Sequence, residues 1–529
     1  MSASSERSDP GKLIDTLAGV VGPDAIVTDA DTLQGYGMDL FYQGAPPTVA
    51  IEPASVDQLA TAIRVACEAG FAIIPRGAGL SYSAGTLGDG RPSVLVETRR
   101  LNRVLDINAE DLYVRVECGT TWKQLDDALR PSGLRTPFWG TGSGLHATVG
   151  SGLSYNVVNY GSARYGAVAD SVLGLTVVLA DGSQLRTGPS PAPDQPPFNR
   201  YYGPDLAGVF LGDSGAFGVK AEAVLRLIPR AAATGYAAFS FPSREAFAAA
   251  IANVGRSGLT SECFGFDPYF LSERIVSTGF ADDVRKLLGV ASGQGSVLKG
   301  LKEALVVAAA GRRYAEGVGY TLHMTVDGRD DKDADSALGQ VRKFCTGEGG
   351  EEIEASIPKI MRGTPFPPPA MIFGPKGESW VPVHCMLPHS RHLAALEAVD
   401  RYMDEHAAVI DQHGITWGQV SMLIGQNTTL VEINLYWQDE RTAAQTRYLE
   451  DSFLNALPVY DANPAARAAV GELRRGLAEV FAEQGAAHIQ IGRLFPLMES
   501  RDPRSQALLK SIKHQLDPRG LMNPGVGGL

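Results

Sequence analysis

Cysteine is scarce in this sequence, and no two cysteines have the spacing of a metal site. The 529 residues contain no C-x-x-C pair, and the five cysteines are Cys67, Cys118, Cys263, Cys345 and Cys385. An odd number of scattered cysteines argues against a disulfide framework. We therefore predict reduced, mostly buried thiols in a reducing compartment.

Long hydrophobic runs are missing as well. The first residues, MSASSERSDPGK, are polar and charged, and they lack the apolar segment of a secretory signal. No run of about 18 apolar residues occurs, which is the length that a membrane-spanning helix needs. We expect a soluble, cytoplasmic protein.

Positive charge is in deficit. The chain has 47 lysines and arginines against 59 aspartates and glutamates, which gives a formal net charge of −12. A nucleic acid partner would require a basic face, so we expect no nucleic acid. A small anionic substrate is compatible with this balance, because it needs only one local cation.

The chain length and a change in sequence pattern after Arg230 indicate more than one domain. A chain of 529 residues exceeds what a single hydrophobic core organises. Up to about residue 230, strand and helix patterns alternate, which predicts a mixed α/β domain. The predicted elements are helices over 56–69 and 121–133, strands over 71–75, 93–108, 111–119 and 221–230, and a hairpin over 170–188. Alanine-rich helices and strands such as TTLVEINLYW follow Arg230, so we place a domain boundary near residue 231.

Three glycine-rich stretches, 75–82 (PRGAGLSY), 140–166 and 203–219, stand beside predicted strands. In the first, Tyr82 occupies the third glycine position of a dinucleotide fingerprint and no helix pattern follows, so that fingerprint is excluded. Exposed backbone N–H groups can still bind a pyrophosphate there, although the stretch alone also fits a surface turn. Because ordering three such stretches costs entropy, together they predict an extended cofactor with pyrophosphate, ribityl and ring portions.

Four motifs in this order resemble the FAD-linked oxidases of the vanillyl-alcohol oxidase/p-cresol methylhydroxylase superfamily. They are PRGAGLS, ATVGSG…N…GSARYGAVADSVLGLTVVLADG, GPDLAGVFLGDSGAFGVKAEAVLRLIP and LDPRGLMNPG. Residues 147–182 are most similar to the branch of D-lactate and other D-2-hydroxy-acid dehydrogenases. The resemblance covers residues 50–230 and 485–529, and the middle of the chain matches loosely.

The resemblance implies an α+β protein with the two-domain, p-cresol methylhydroxylase-type FAD-binding fold and an antiparallel-sheet cap. We expect an FAD-binding domain over 1–230, a cap or substrate domain over 231–484, and a tail over 485–529 that returns to the FAD-binding domain. The residues that the resemblance assigns to FAD are Arg76, Gly77, Ala78, Gly79, Leu80 and Ser81 at the pyrophosphate, Thr148, Gly150, Ser154 and Asn156 along the ribityl and pyrophosphate, Gly161, Arg164 and Tyr165 at the end of that loop, Gly218 and Val219 at the adenine, and Asn523 near the flavin.

Two departures from the superfamily concern the flavin link and a metal. Members that tether flavin through a loop histidine have it where this chain has Leu80, and no loop cysteine lies between 119 and 262. We expect non-covalent FAD, with His384 of the cap as the remaining candidate for a link. The HxGDGNxH metal signature of many 2-hydroxy-acid members is absent. For His384, His389 and His392 we favour one strand histidine and two exposed loop histidines over a metal site, so we expect no metal.

Oxidation of a CH–OH group by flavin needs a base for the hydroxyl proton and a cation for an anionic substrate. In the tail, His488 is the predicted base and Arg493 the predicted anion anchor, with a surface arginine as the alternative for Arg493. His384 is the second candidate base.

The cap strand LVEINLYW supplies further candidates for the substrate pocket. Tyr436 and Trp437 are predicted to wall the pocket, with plain packing as the alternative. Glu432 lies among apolar residues, and burial would raise the pKa of its carboxyl and make it a base.

The favoured function is hydride removal from the CH–OH centre of a 2-hydroxy acid by FAD, because the match over 147–182 is unbroken. The alternative is an oxidase or dehydrogenase of para-substituted phenols, of the vanillyl-alcohol or eugenol type, which the missing metal signature favours. A non-catalytic flavin-binding protein is the remote alternative. We expect a small anionic or aromatic substrate, oxygen or a redox protein as electron acceptor, and a homodimer among the compatible assemblies.

Overall fold

The computed structural model describes residues 9–192, 195–276, 319–374 and 376–529. Within these ranges helices pack on three larger β-sheets. The α-helices are α1 Pro10–Val21, α2 Ala30–Tyr36, α3 Val56–Glu68, α4 Trp122–Leu129, α5 Val149–Tyr155, α6 Ser162–Tyr165, α7 Leu206–Val209, α8 Arg244–Ser257, α9 Asp331–Gly347, α10 Ser356–Gly363, α11 His392–Glu405, α12 Ala407–Gln412, α13 Ala443–Thr446, α14 Asp451–Leu454, α15 Pro464–Glu483 and α16 Pro503–Leu516.

A four-stranded sheet is built from the first part of the chain, with the strand order β1-β2-β4-β3. Its strands are β1 Ile26–Val27, β2 Val49–Ile51, β3 Ala72–Arg76 and β4 Ser93–Glu97. Both β2 and β3 run parallel to β4. Parallel strands need a crossover, and α3 supplies it between β2 and β3. The Ser55 side chain accepts a hydrogen bond from the Gln58 N–H and caps this helix.

The next sheet is antiparallel, with the strand order β5-β6-β10-β8-β9. Its strands are β5 Val104–Asn108, β6 Tyr113–Glu117, β8 Val172–Val178, β9 Gln184–Arg186 and β10 Val219–Arg226, and a separate pair joins β7 Leu134–Arg135 to β11 Ile228–Pro229. The predicted hairpin is confirmed: β8 and β9 pair, and Gly182 in the turn has a φ of 80°.

The third sheet is the antiparallel cap, with the strand order β15-β12-β14-β13-β17-β18-β16. Its strands are β12 Ala233–Phe241, β13 Thr260–Phe266, β14 Tyr320–Gly328, β15 Glu351–Ile353, β16 Ser379–Pro388, β17 Thr416–Ile424 and β18 Thr428–Trp437. Helices α8, α9, α11 and α15 bury one face of this sheet. The expected antiparallel cap sheet is therefore present.

One predicted strand proves to be two. The segment 93–108 divides into β4 and β5, which belong to different sheets. After β4, the Thr98 N–H donates to the Arg76 carbonyl, and the chain then leaves the first sheet. The Arg103 carbonyl then accepts from the Glu117 N–H, where pairing with β6 begins. The alternation of apolar residues continues from β4 to β5, so the sequence pattern alone did not reveal that the chain changes sheets there.

The predicted domain boundary near 231 falls between β11 and β12, which belong to different sheets. The domain bounds stay a prediction. All five cysteines are buried, as predicted. Residues 193–194, in the proline-rich segment after β9, lie outside the described residues. In the part of the chain that the structure describes, no helix is long and apolar enough to cross a membrane.

A buried charge cluster joins the cap to Arg135 of β7 and to Trp139 and Gly161. The Glu262 carboxylate in β13 accepts from Arg362 Nη1 at 2.8 Å, from Trp139 Nε1 at 3.2 Å and from the Gly161 N–H at 3.0 Å. Asp327 in β14 accepts from Arg362 and, at 2.8 Å, from Arg135 Nη2. Because each carboxylate is paired and hydrogen-bonded, removing one partner would leave an uncompensated buried charge.

Three buried histidines predict acid sensitivity. Burial lowers the pKa of His323, His384 and His392 to about 3. An unfolded histidine titrates near pH 6.5, so between about 6.5 and 3 the unfolded chain binds protons that the folded chain does not. The free energy of unfolding should therefore fall as the pH falls below about 6.5, on the order of 1 kcal/mol per histidine by pH 5.5.

Urea unfolding at pH 7.5 and 5.5 measures this loss. His392→Gln should show a smaller loss than the wild type, and the exposed control His514→Gln should not differ from it. An equal loss in all three proteins would contradict the prediction.

Candidate active site

A cavity of about 370 Å³ lies between the cap sheet and the glycine-rich stretches. One wall is formed by residues 77–82 after β3, and another by residues of the stretch 141–160. The cap contributes inward-facing residues of β13, β17 and β18, and the proline-rich segment 363–371 borders the cavity.

A second cavity, of about 40 Å³, lies between the first two sheets. It shares Gly77, Thr86, Ser151 and Tyr155 with the large cavity, so the two adjoin. The space thus extends from the cap sheet to the strand ends of the FAD-binding part. An elongated pair of cavities beside glycine-rich backbone fits an extended cofactor whose ring lies at the cap end.

The sequence-predicted cofactor residues divide between the two cavities and their surroundings. The large cavity is lined by Gly77, Ala78, Gly79, Leu80 and Ser81. The small cavity is lined by Arg76, Gly77, Gly150, Ser154, Gly218 and Val219. The structure therefore brings these residues together.

Two of the predicted residues use their side chains to hold the loops. The Arg76 guanidinium is buried and Nη1 donates to the carbonyls of Tyr36 and Met38, both at 3.3 Å. The Thr148 hydroxyl accepts from the Ser151 N–H and caps α5. Thr148 is not among the described residues that line either cavity.

The end of the second stretch faces the cap, and its expected contact with FAD stays a prediction. The Gly161 N–H donates to Glu262, and Arg164 Nη1 lies 3.4 Å from the Asp327 carbonyl. The Arg135 guanidinium carbon lies 5.5 Å from the ring centre of Tyr165. Asn156, with a φ of 48°, ends α5. None of these four predicted residues, Asn156, Gly161, Arg164 and Tyr165, is among the described residues that line either cavity.

Asn523 holds two loops together. Its Nδ2 donates to the carbonyls of Gly85 at 2.8 Å and Ser214 at 2.6 Å, and its own N–H donates to Ile73. The tail thus reaches the loops beside the cofactor space, although the Asn523 side chain does not line it.

Arg493 clamps the loops, and the structure lends no support to its predicted role as an anion anchor, which stays a prediction. Its guanidinium donates to the carbonyls of Ala84, Leu87 and Pro524, the last two at 2.7 Å. Since backbone acceptors occupy both terminal nitrogens and the residue lies outside the large cavity, it is not placed to bind a substrate carboxylate.

The two candidate histidines also lie outside the large cavity, so the structure lends no support to their expected role as base, which stays a prediction. His488 Nδ1 lies 2.9 Å from the His384 carbonyl oxygen and therefore carries the proton, and its ring stacks on Phe495 at 4.1 Å. His384 packs 5.0 Å from the same ring, and burial lowers its pKa to about 3.

His384, His389 and His392, for which a metal site was the less favoured interpretation, are spread out. His389 Nδ1 lies 2.7 Å from the Thr429 hydroxyl, and His392 Nε2 lies 2.9 Å from the Ser421 hydroxyl. His392 is buried in α11 rather than exposed in a loop, because the helix turns it toward β17. Among the described residues, no group of three or more His, Cys, Asp or Glu side chains could hold a metal.

Strand β18 brings its alternate residues to the cavity. Leu430, Glu432, Asn434 and Tyr436 all line it, as the two-residue period of a strand requires. Trp437 therefore points to the opposite face, where its Nε1 donates to Asp439 at 2.9 Å. The expectation that both Tyr436 and Trp437 wall the pocket is correct only for Tyr436.

Glu432 is the carboxyl of the large cavity. Burial raises its pKa to about 7, and the neighbouring Asn434 amide offsets part of that rise. The Asn434 Oδ1 in turn accepts from Trp380 Nε1 at 2.7 Å. A carboxyl with a pKa near neutrality can take and return a proton at physiological pH.

Tyr82 faces Glu432 from the first glycine-rich stretch. Burial and the Glu432 charge raise the pKa of its phenol, and a hydrogen bond to Gln490 opposes that rise. Its ring meets Trp380 edge to face at 5.7 Å. Tyr82 and Gln490 both line the cavity, so a hydroxyl and an amide stand near the carboxyl.

The large cavity lacks a cation. No arginine, lysine or histidine is among the described residues that line it. Aromatic and aliphatic side chains dominate, including Tyr160, Phe266, Phe270, Met422 and Trp380. Such a lining favours a flat apolar group over a carboxylate, because a buried anion needs a compensating charge.

Sequence reasoning missed Tyr82, Gln490, Trp380 and Asn434. A signal existed for Asn434, which lies two residues after Glu432 and two before Tyr436 on one strand. Tyr82 directly follows the recognised glycine motif. No local pattern marks Gln490 or Trp380, whose partners are distant in the chain.

Comparison with known proteins identifies the first part of the chain. Residues 47–188 match the family model of an FAD binding domain. A probable mitochondrial D-lactate dehydrogenase of Danio rerio is 29% identical over 233 residues, which are 44% of this chain and 46% of the relative. The glycolate oxidase subunit GlcD of Bacillus subtilis is 31% identical over 189 residues, 36% of this chain and 38% of the relative. The chain thus matches less than half the length of either relative.

The whole chain resembles solved flavoenzymes in fold. A 4-ethylphenol oxidase of Gulosibacter chungangensis in complex with isoeugenol superposes with a TM-score of 0.73 at 19% identity, covering 98% of this chain and 97% of that one. The p-cresol methylhydroxylase with substrate bound superposes with the same TM-score at 17% identity, over 98% and 96% of the chains. The chain therefore carries an FAD-binding domain within the p-cresol methylhydroxylase-type fold. These superpositions confirm the predicted fold, and the match to the FAD binding domain confirms the prediction of FAD.

The first glycine-rich loop should not tolerate a side chain at Gly79. This residue has a φ of 74°, and a Cβ would overlap the buried Arg76 guanidinium. We predict that Gly79→Ala loses FAD, as measured by flavin absorbance relative to protein. Gly88→Ala is the matched control, because its Cβ would meet its nearest atom, Ser93 Oγ, at an ordinary 3.6 Å. Normal flavin content in Gly79→Ala would contradict the assignment of this loop to the cofactor.

Proposed function

We propose that the protein is an FAD-dependent oxidoreductase that removes a hydride from a carbon of a small organic donor bound in the large cavity. The observation that carries the proposal is Glu432, a partly buried carboxyl with a pKa of about 7 in a cavity that adjoins the glycine-rich loops. When bound, FAD supplies the hydride acceptor.

The residues of the cavity supply the remaining functions. Glu432 accepts the proton of the donor hydroxyl as that oxygen becomes electron-rich. Tyr82 and Gln490 stand opposite and donate hydrogen bonds to the same oxygen. The apolar walls exclude water and hold the donor flat.

For the donor we propose an aromatic alcohol or para-substituted phenol. The supporting observation is the absence of any cationic side chain among the described residues lining the cavity, together with its aromatic walls. A phenol enters such a space as a neutral molecule and then gives its proton to Glu432.

A 2-hydroxy acid is the second candidate donor, because the sequence relatives of the FAD-binding part are named for D-lactate and glycolate. Its carboxylate would need hydrogen bonds from the neutral groups of the cavity, since Arg493 is occupied elsewhere.

We propose that the FAD is held without a covalent bond. Leu80 lines the cavity at the position of the loop tether, and His384 is buried outside that cavity. Precipitation with acid should release all flavin into the supernatant, where its absorbance is measured. Flavin that stays with the pellet would contradict this proposal. The electron acceptor, the homodimer, the absence of nucleic acid and the cytoplasmic location stay predictions.

The role of Glu432 predicts a pH-dependent rate. The base must be ionised, so flavin reduction should slow as the pH falls below about 7. Glu432→Gln should slow flavin reduction at saturating donor by about 10²–10⁴-fold, and the rate should no longer change with pH near pH 7. Anaerobic stopped-flow absorbance with whichever donor bleaches the flavin measures both effects. The exposed Glu440→Gln is the matched control. A wild-type rate in Glu432→Gln would overturn the assignment.

A further inference from the structure

A proline-rich segment of the cap forms the outer wall of the large cavity. Residues 364–372 (TPFPPPAMI), which we call the strap, connect helix α10 to Phe373. Met371 lines the cavity and is also 44% exposed, so the strap lies between the cavity and solvent. The strap residues that line the cavity are Thr364, Pro367, Pro368, Pro369, Met371 and Ile372.

The strap is held at both ends. On the side of α10, the Arg362 guanidinium pairs with the carboxylates of Glu262 and Asp327 in the cap sheet. On the other side, Phe373 is buried and bridges to Ser379 at the start of β16. The two ends of the strap are therefore fixed to the cap.

The middle of the strap lacks such attachments through its backbone. Four of its nine residues are prolines, which have a fixed φ and no N–H to donate. Among the described residues its backbone hydrogen bonds are local, as in those from the Thr364 N–H to Ile360 and from the Ala370 N–H to Pro368. A stiff segment of this kind depends on side chains for its position.

Phe366 is the strap side chain that enters the FAD-binding part. Its buried ring meets Trp139 and Tyr160 edge to face, with ring centres 6.0 and 6.5 Å apart. The ring has room because a Cβ is missing on the opposite side. A Cβ at Gly140 would lie 2.5 Å from Phe366 Cε1, and one at Gly144 would lie 2.6 Å from Cδ1. Neither glycine lines the two cavities, so this part of the second glycine-rich stretch admits the strap.

We propose that the strap is a gate over the donor cavity and that Phe366 is the positioning residue that holds it closed. In the closed position, which the structure shows, the ring lies between the two glycines and the strap covers the cavity. When the ring withdraws, residues 364–372 move outward between their fixed ends, and a donor enters or leaves. The inference rests on the proposed function, because the covered space is the donor site.

The buried ring determines how rarely the gate opens. Burial of a phenylalanine side chain favours the closed position by a factor on the order of 10–100. Opening exposes that apolar surface again, so opening should limit both the rate at which a ligand enters and the rate at which it leaves.

The first test is stopped-flow mixing of the oxidised holoenzyme with 4-nitrophenol, followed by flavin absorbance. In the wild type the observed binding rate should reach a plateau at high ligand concentration, because opening becomes limiting. Phe366→Ala should raise this plateau and the dissociation rate constant together, each by about tenfold or more, with Kd nearly unchanged. Phe366→Leu, which keeps an apolar side chain, should lie between the two. Phe198→Ala, at a phenylalanine that is 56% exposed, is the matched control.

A fixed wall gives a different result. If Phe366 only packs, the wild-type binding rate should rise linearly with ligand concentration, and Phe366→Ala should raise Kd through dissociation alone. Either result, or unchanged rate constants in Phe366→Ala, would overturn the inference. If Phe366→Ala does not retain FAD, Phe366→Leu is judged by the same criteria.

Gly144→Ala tests the same contact from the opposite side. Its Cβ should displace the ring and raise both rate constants. Because this Cβ would also meet the Thr141 carbonyl at 2.8 Å, the double variant is needed: in the Phe366→Ala background, Gly144→Ala should add little. Additive effects would overturn the inference. Gly339→Ala, whose Cβ would meet no atom within 4 Å, is the control.

Failure of the proposed function has its own signature. If the wild type binds no 4-nitrophenol but D-lactate bleaches its flavin, the aromatic donor is wrong, and the two rate constants are measured with oxalate, an unreactive analogue of a 2-hydroxy acid. A joint rise in Phe366→Ala would still support the gate, and unchanged constants would overturn it. If the flavin-loaded wild type binds neither ligand, the proposed function and this inference both fail.

Discussion

The cavity depends on the buried carboxylate of Glu262. This one side chain, in a strand of the cap, binds Arg362 of the cap and two N–H groups of the FAD-binding part, from Trp139 and Gly161. Through Trp139, which stacks on Tyr160 at 4.9 Å, the cluster reaches the wall of the large cavity. An unpaired charge at this depth would be costly, so the cluster fixes how the cap sheet lies over the glycine-rich loops.

The tail holds the loops from the other side. Glycine-rich loops have little regular structure of their own, and their carbonyls need donors. Arg493 and Asn523 donate to the carbonyls of Ala84, Gly85, Leu87 and Ser214. Lys513 adds bonds to the carbonyls of Ala216 and Met522. The cationic groups of the tail are therefore used to order backbone, and the described lining of the donor space contains no cation.

Local patterns predicted much of the fold. The β8–β9 hairpin follows from strand period and turn chemistry, and the antiparallel cap follows from the resemblance that the ordered glycine-rich motifs carry. The same two-residue period placed Glu432 and Tyr436 on the cavity side of β18. It also excludes Trp437 from that side, because neighbouring residues on a strand face opposite ways.

The tail residues could not be assigned from sequence. Histidine and arginine near a flavin motif are typical of catalytic groups, and His488 and Arg493 fit that pattern. Their actual partners lie far away in the chain: Ala84 and Leu87 for Arg493, and the His384 carbonyl for His488. Tyr82 and Arg474 likewise meet only in the folded protein. Such contacts are set by packing between elements, and no local spacing records them.

The central claim is that an uncharged aromatic donor reduces FAD in the cavity beside Glu432. Anaerobic titration of the oxidised holoenzyme, followed by flavin absorbance, tests it most directly. The donors are 4-alkylphenols and benzylic alcohols on one side and D-2-hydroxy acids on the other. We expect bleaching by members of the aromatic set and none by the hydroxy acids. Bleaching by the hydroxy acids alone would contradict the claim. It would require a cationic side chain to bind the substrate carboxylate, and the described lining of the cavity contains none.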